Sequence, residues 1–403
     1  MFLATSIANF SNYVLHVFMS RMLGPAEYSI FVSMLSLFMI LSISASPLQM
    51  VFAKYVVNLQ ASARHSQVGT LLTRALSRIS SYSFIGLAAF VLCSSYIASF
   101  LNLPSVLPVI VTGGMIVLAL LLPVTLGALQ GRQQFTYLGA CTALGALLRL
   151  VFAILLVYVG LGASGALGAS VLSQATILIL SLIPLQALFA QRSEEAVDTP
   201  GISGYFGTVL VSMFCFTMLT NADVVLVKHF FDPIEAGYYS AASLASKILL
   251  YLPSAVAIVM FPKSAERFAL GQDSSDILRR GLLVTGIVYA LALPIYWLFP
   301  SPIVNILFGS GYTATESLIG LFSLAMAFYG LINILIFYHL SVNNRRFVYL
   351  LGGFSLAQVI LILLFHRSLG QVIGVLAFIG FALLISSIYL FRGPFGVRKR
   401  ISA

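Results

Sequence analysis

Polar and apolar positions along the chain fall into long blocks. Apolar stretches occupy roughly 2–20, 28–52, 79–101, 106–129, 137–160, 164–189, 205–229, 236–260, 281–299, 315–340, 347–366 and 371–391. Most approach the ~20 residues that an α-helix needs to cross the hydrocarbon layer. A β-barrel would instead alternate polarity in segments of about ten residues. The continuous runs therefore predict an all-α polytopic membrane protein with twelve transmembrane helices. The run at the N-terminus has no basic lead and no small-residue cleavage site, so it is read as a first membrane helix and not as a removed signal.

Composition agrees with the pattern. Hydrophobic residues make up 60% of the 403 positions and charged residues 8%, whereas soluble domains carry roughly 25% charged residues. A soluble enzyme, a nucleic-acid partner and a disordered chain are excluded on this ground. The net charge of +10 changes the picture only after it is mapped. Sixteen of the 21 Lys and Arg fall in alternate loops, at 53–78, 130–136, 190–204, 261–280 and 341–346, and in the tail. The positive-inside rule then places both termini in the cytoplasm, with an even number of spans. Arg21 and Lys228, at helix ends on the other side, are expected to snorkel. Cys93, Cys141 and Cys215 lie in apolar runs without ligand spacing and are expected to be small core residues.

The most polar stretch, QRSEEAVDTPGIS at 191–203, sits near the midpoint. It predicts an N-terminal six-helix lobe over 1–190, a cytoplasmic linker over 191–204 and a C-terminal six-helix lobe over 205–403 with a short basic tail. Asn12 and Asn221, Phe52 and Phe261, and Lys54 and Lys263 are each 209 residues apart, and Pro25 and Pro233 are 208 apart. Such near-constant offsets predict a parallel internal repeat, because each half has an even number of spans, and a central cleft as the ligand site.

Candidate chemistry is confined to a few polar groups inside spans. Arg149 and Lys247 fall near span centres, where an ionisable side chain is costly and is by default a functional candidate. Ser240, Ser243, Lys247, Tyr251 and Ser254 recur at helical spacing and predict one water-lining face. Thr5, Asn9, Asn12, His16 and Ser20 do the same in the first span. Cations there could meet an anionic group, and amides and hydroxyls could hydrogen-bond a polar ligand. Arg149, Lys247, Asn9, Asn12, His16, Ser243 and Tyr251 are therefore the candidate substrate-binding residues. Asp223 is the candidate ion-coupling carboxylate. In a purely structural reading Asp223 and Lys247 would instead form a salt bridge. No phosphate loop, dinucleotide fingerprint or metal-binding helix motif is present in the sequence, so no catalytic residue, metal or cofactor is assigned.

The segments SRMLGPAEYSIF at 20–31, GALQGRQQFTYLGACTALGALLRL at 127–150, NADVVLVKHFFDPIEAGYYSAASLASKILLYLP at 221–253 and FPK at 261–263 resemble the bacterial oligosaccharide flippase family of polysaccharide biosynthesis proteins (Wzx-like). That family belongs to the superfamily of multidrug and toxin extrusion antiporters and lipid II flippases. The resemblance implies a transporter that moves polyprenyl-diphosphate-linked oligosaccharide to the outer leaflet by alternating access. Its implied partners are that lipid-linked substrate, membrane lipids and glycan polymerase or glycosyltransferase machinery. Two alternatives stand beside it. An ion-coupled drug or cation antiporter would want a carboxylate-dominated cavity, and a glycan polymerase, ligase or scaffold would usually carry a large polar outer loop.

Overall fold

The computed structural model describes residues 1–61, 65–190, 203–342, 344 and 346–392. The chain divides into two compact units, Met1–Phe206 and Gly207–Ala403. Every regular element among the described residues is helical. In hydrocarbon only a helix or a closed barrel satisfies all backbone groups within the chain.

The first unit contains α1 (Phe2–Leu41), α2 (Ala45–Ala61), α3 (His65–Leu92), α4 (Ser94–Phe100), α5 (Leu107–Gly131), α6 (Phe135–Leu156), α7 (Gly162–Leu182) and α8 (Gln186–Ala190). α1 is two rods joined at Gly24, whose φ of 68° is left-handed, followed by Pro25, which has no amide to donate. His16 Nδ1 lies 3.2 Å from the Tyr28 hydroxyl. In a straight helix twelve residues would separate by about 18 Å, so the chain reverses at Gly24.

The second unit contains α9 (Ser203–Phe230), α10 (Pro233–Tyr251), α11 (Ser254–Ala269), α12 (Ser275–Leu298), α13 (Pro300–Leu307), α14 (Glu316–Ser341), α15 (Arg346–Leu364) and α16 (Leu369–Arg392). Among the described residues nine stretches are long and apolar enough to cross a membrane. Two of these, Leu3–Leu41 and Phe135–Phe189, each extend over more than one expected span. α10 and α11 are not among the nine. The architecture is thus polytopic and all-α, and is compatible with twelve crossings.

Several sequence expectations are corrected. The basic segments 53–78 and 261–280 are mostly helical and not loops, since α2 and α11 run beyond the apolar blocks and α3 and α12 begin before them. The expected span at 236–260 is broken after Tyr251, because Pro253 cannot donate an amide and α11 restarts at Ser254. Cys141 and Cys215 are buried, but Cys93 is exposed between α3 and α4. Lys228 is 1% exposed and does not snorkel. The expected linker falls at 191–202 outside the described residues, apart from its last two positions, which belong to α9.

Close helix contact is set by small residues. α2 packs on α5, and a Cβ at Gly127 would lie 2.7 Å from the Gln49 carbonyl oxygen, while one at Gly131 would lie 2.7 Å from that of Ala53. Four residues apart on α5, these glycines form a seam that lets the two backbones touch. Gln49 Nε2 donates to Gln130 Oε1 across it at 2.9 Å. In the second unit Tyr289 donates to the Leu249 carbonyl at 3.0 Å and Tyr296 to that of Ala245 at 2.9 Å. Leu249 is the residue whose regular donor would have been Pro253. The Tyr289 hydroxyl replaces the missing amide, with the Leu252 amide a further 3.3 Å donor.

Two variants test these seams. Gly131→Val should overpack the α2–α5 contact and lower stability by about 1–3 kcal/mol, read as a reduced thermal midpoint of the purified protein. Tyr289→Phe, which removes only the donor to Leu249, should cost about 1 kcal/mol.

A candidate functional site built on two asparagine and cation pairs

In the first unit Arg149 sits on α6, half-buried, and its guanidinium donates to Asn12 Oδ1 of α1 at 2.5 Å. Its Nε is buried without a hydrogen-bond partner. α1 packs along α6, so the pair forms inside the helix bundle. Asn9, one turn before Asn12, is exposed, and His16, one turn after, is half-buried. The His16 ring meets Tyr28 and Phe31, with centroids 6.3 and 5.6 Å away. His16 therefore braces the reversal at Gly24, while Asn12 serves the cation.

In the second unit Lys247 of α10 donates to Asn221 Oδ1 of α9 at 3.1 Å. The Asn221 amide nitrogen is taken by the Thr217 carbonyl at 3.1 Å and lies 3.0 Å from Thr220 Oγ1. With its nitrogen engaged, the amide has its oxygen turned to the ammonium. Asp223 lies two residues on and so about 200° around the helix. It is 1% exposed and accepts a hydrogen bond from Tyr239 at 2.7 Å through Oδ2, while its Oδ1 is buried without a partner. The structural alternative of an Asp223–Lys247 salt bridge is not what forms. An ion pair elsewhere in this unit joins Arg267 to Asp276.

The polar stripe of α10 is corrected in part. Ser240 donates back to the Ala236 carbonyl at 2.7 Å. Ser243 is buried, with its hydroxyl unpartnered, so neither serine lies open to water here. Tyr251 is 59% exposed, where α10 ends. Ser254 belongs to the next helix, so the stripe is not one continuous face. Of the residues singled out in the sequence, the structure joins Arg149 to Asn12 within the first unit. Asn221 was missed as a site residue, although its 209-residue match to Asn12 was the available signal.

Each unit therefore holds a membrane-embedded cation on a neutral amide oxygen. Such an arrangement orders the cation with no carboxylate bonded to it, although Asp223 lies within electrostatic reach of Lys247. Among the described residues no cluster of three or more His, Cys, Asp or Glu could hold a metal ion.

A family model described as polysaccharide biosynthesis protein matches residues 18–317. The chain belongs to this family. Solved structures share the fold. An inward-facing multidrug resistance MATE family transporter of the MOP superfamily aligns with a TM-score of 0.78 and 13% identity, covering 98% of this chain and 94% of the other. The lipid II flippase MurJ, in an inward closed conformation, aligns with a TM-score of 0.67 and 15% identity over 100% and 89%. A MOP superfamily transporter from Pyrococcus furiosus Vc1 (DSM3638), described by a binding pocket of reverse polarity, aligns with a TM-score of 0.60 and 15% identity over 99% and 93%. No curated protein matches the sequence. The chain is thus a multi-pass membrane protein with the fold of these transporters.

A double-mutant cycle tests the pairs. Replacing Asn12 or Asn221 by Leu removes the acceptor and leaves the cation buried, and should cost about 1–3 kcal/mol. Combining Asn221→Leu with Lys247→Met should restore part of that loss, which thermal unfolding of the four proteins would measure.

Proposed function

We propose that this protein is an inner-membrane flippase, a transporter without enzymatic activity, that moves polyprenyl-diphosphate-linked oligosaccharide from the cytoplasmic to the outer leaflet. The termini would lie in the cytoplasm, with the two six-helix lobes joined by the 191–204 segment. The observation that carries the reading is the pair of intramembrane cations, Arg149 and Lys247, each held by an asparagine oxygen and not by a carboxylate. A diphosphate brings negative charge into the membrane. Cations with no carboxylate bonded to them are suited to meet it.

Asn12, Asn9, His16, Ser243 and Tyr251 would supply hydrogen bonds to the head group as the site is exposed to one leaflet and then the other. Family membership supports the polysaccharide precursor as cargo. The lipid-linked substrate, the surrounding lipids and glycan-assembly enzymes would be the partners, and no cofactor is assigned. Asp223, with one buried oxygen unpartnered, would be the group through which an ion gradient drives the cycle. A drug antiporter of the same fold is the second reading, favoured by the MATE alignment. The cationic sites are the wrong sign for cationic drugs.

Charge reversal is the decisive test. Arg149→Glu and Lys247→Glu should each leave membrane insertion intact and stop export, with polyprenyl-linked oligosaccharide accumulating on the cytoplasmic leaflet. Unchanged export in both sinks the assignment. Resistance to cationic dyes on overexpression, with no accumulation in a deletion strain, would install the antiporter.

A further inference from the structure

A second basic feature lies outside these sites, in the second unit. α11 and α12 lie side by side and enclose a groove of about 770 Å³, walled by Val256, Val259, Met260 and Val284 and rimmed by Lys263 and Arg280. Its floor is closed by Gly281, where an added Cβ would lie 3.2 Å from the Met260 sulfur. At its polar end Arg267 pairs with Asp276 at 2.5 Å, fastening the end of α11 to the start of α12. That pair consumes one cation and one acid of the lining. What remains is Lys263 and Arg280 against Glu266, all exposed. Neither Lys263 nor Arg280 makes a hydrogen bond or ion pair with a described residue.

The groove continues as an apolar track. Val284, Ile287, Leu291 and Ile295 follow Arg280 at spacings of four, three, four and four, which is one face of α12. They are 50%, 53%, 71% and 52% exposed. From Val284 to Ile295 this face extends for about 16 Å. A soluble anion would have use for the rim but none for the track, whereas a lipid needs both.

We propose that the α11–α12 groove binds an acidic glycerophospholipid, its phosphate between Lys263 and Arg280 and one acyl chain along Val284, Ile287, Leu291 and Ile295. Basic residues between helices at the membrane surface attract anionic head groups. In the orientation proposed above, this end faces the cytoplasmic leaflet. The site uses none of the residues assigned to the flipped substrate, so it can stand or fall without that assignment.

Native mass spectrometry of the purified full chain, delipidated and offered phosphatidylglycerol or phosphatidylcholine, tests it. The wild type should retain phosphatidylglycerol in preference to phosphatidylcholine. Lys263→Gln with Arg280→Gln should lower that retention by roughly tenfold or more, as the loss of two interfacial cations implies. Arg279→Gln removes a neighbouring cation that does not line the groove and should retain the lipid as the wild type does. Arg280→Lys should retain most of it, which covers a double variant that folds poorly. Equal retention of the two lipids, or an equal loss in Arg279→Gln, overturns the proposal. Displacement by millimolar inorganic phosphate would make the rim a soluble-anion site, and preferential retention of polyprenyl phosphate would make the groove a substrate site. Either result also overturns it.

Discussion

A polar group inside a membrane must find its partner within the protein, because hydrocarbon offers none, and an unsatisfied backbone group costs several kcal/mol. That constraint organises the described structure. Where Pro253 removes an amide from α10, the carbonyl it would have served is met by the Tyr289 hydroxyl of α12. Where Arg149 and Lys247 bring positive charge inward, Asn12 and Asn221 supply the oxygen. An amide is suited to this task in hydrocarbon. It accepts a strong hydrogen bond from a cation yet carries no charge of its own, so the cation is ordered and remains available to an anion.

Satisfying these groups depends on how closely the helices approach. The α2–α5 seam needs Gly127 and Gly131, and Gly330 leaves room for Tyr289, whose hydroxyl would lie within bonding distance of any Cβ there. Small residues and polar residues are thus parts of one solution. Close backbones let a short side chain reach, and the interhelical bond it makes helps to hold the backbones close. The reversal at Gly24 follows the same logic, with His16 and Tyr28 bonded across it.

The helical class and the position of nearly every helix were legible because hydropathy is a local property, summed over about 20 residues. Helix ends were misplaced where a helix carries basic residues past the apolar block, as for Arg74 and Arg78 on α3, since hydropathy marks the apolar stretch and not the end of hydrogen bonding. Arg149, Lys247 and Asp223 were conspicuous as charges in apolar runs. Their partners were not, because partner choice depends on which face of a helix meets which neighbour. Asp223 and Asn221 stand two residues apart on opposite sides of α9, so Lys247 takes the amide and Tyr239 takes the carboxylate. Lys228 was misjudged because hydropathy marks the end of an apolar run and not how deeply the packed chain buries a side chain there.

The two asparagines carry the comparison further. They occupy matching positions 209 residues apart, yet the cations they hold come from different places, Arg149 from α6 and Lys247 from α10. The amide position is common to both units while the charge it holds is not. The two cations also differ in kind. A guanidinium is a planar fork that fixes the orientation of a bound oxyanion, and an ammonium is a point charge that tolerates many orientations. The two units thus differ in what their cations can do, since one can orient an oxyanion and the other only attracts it.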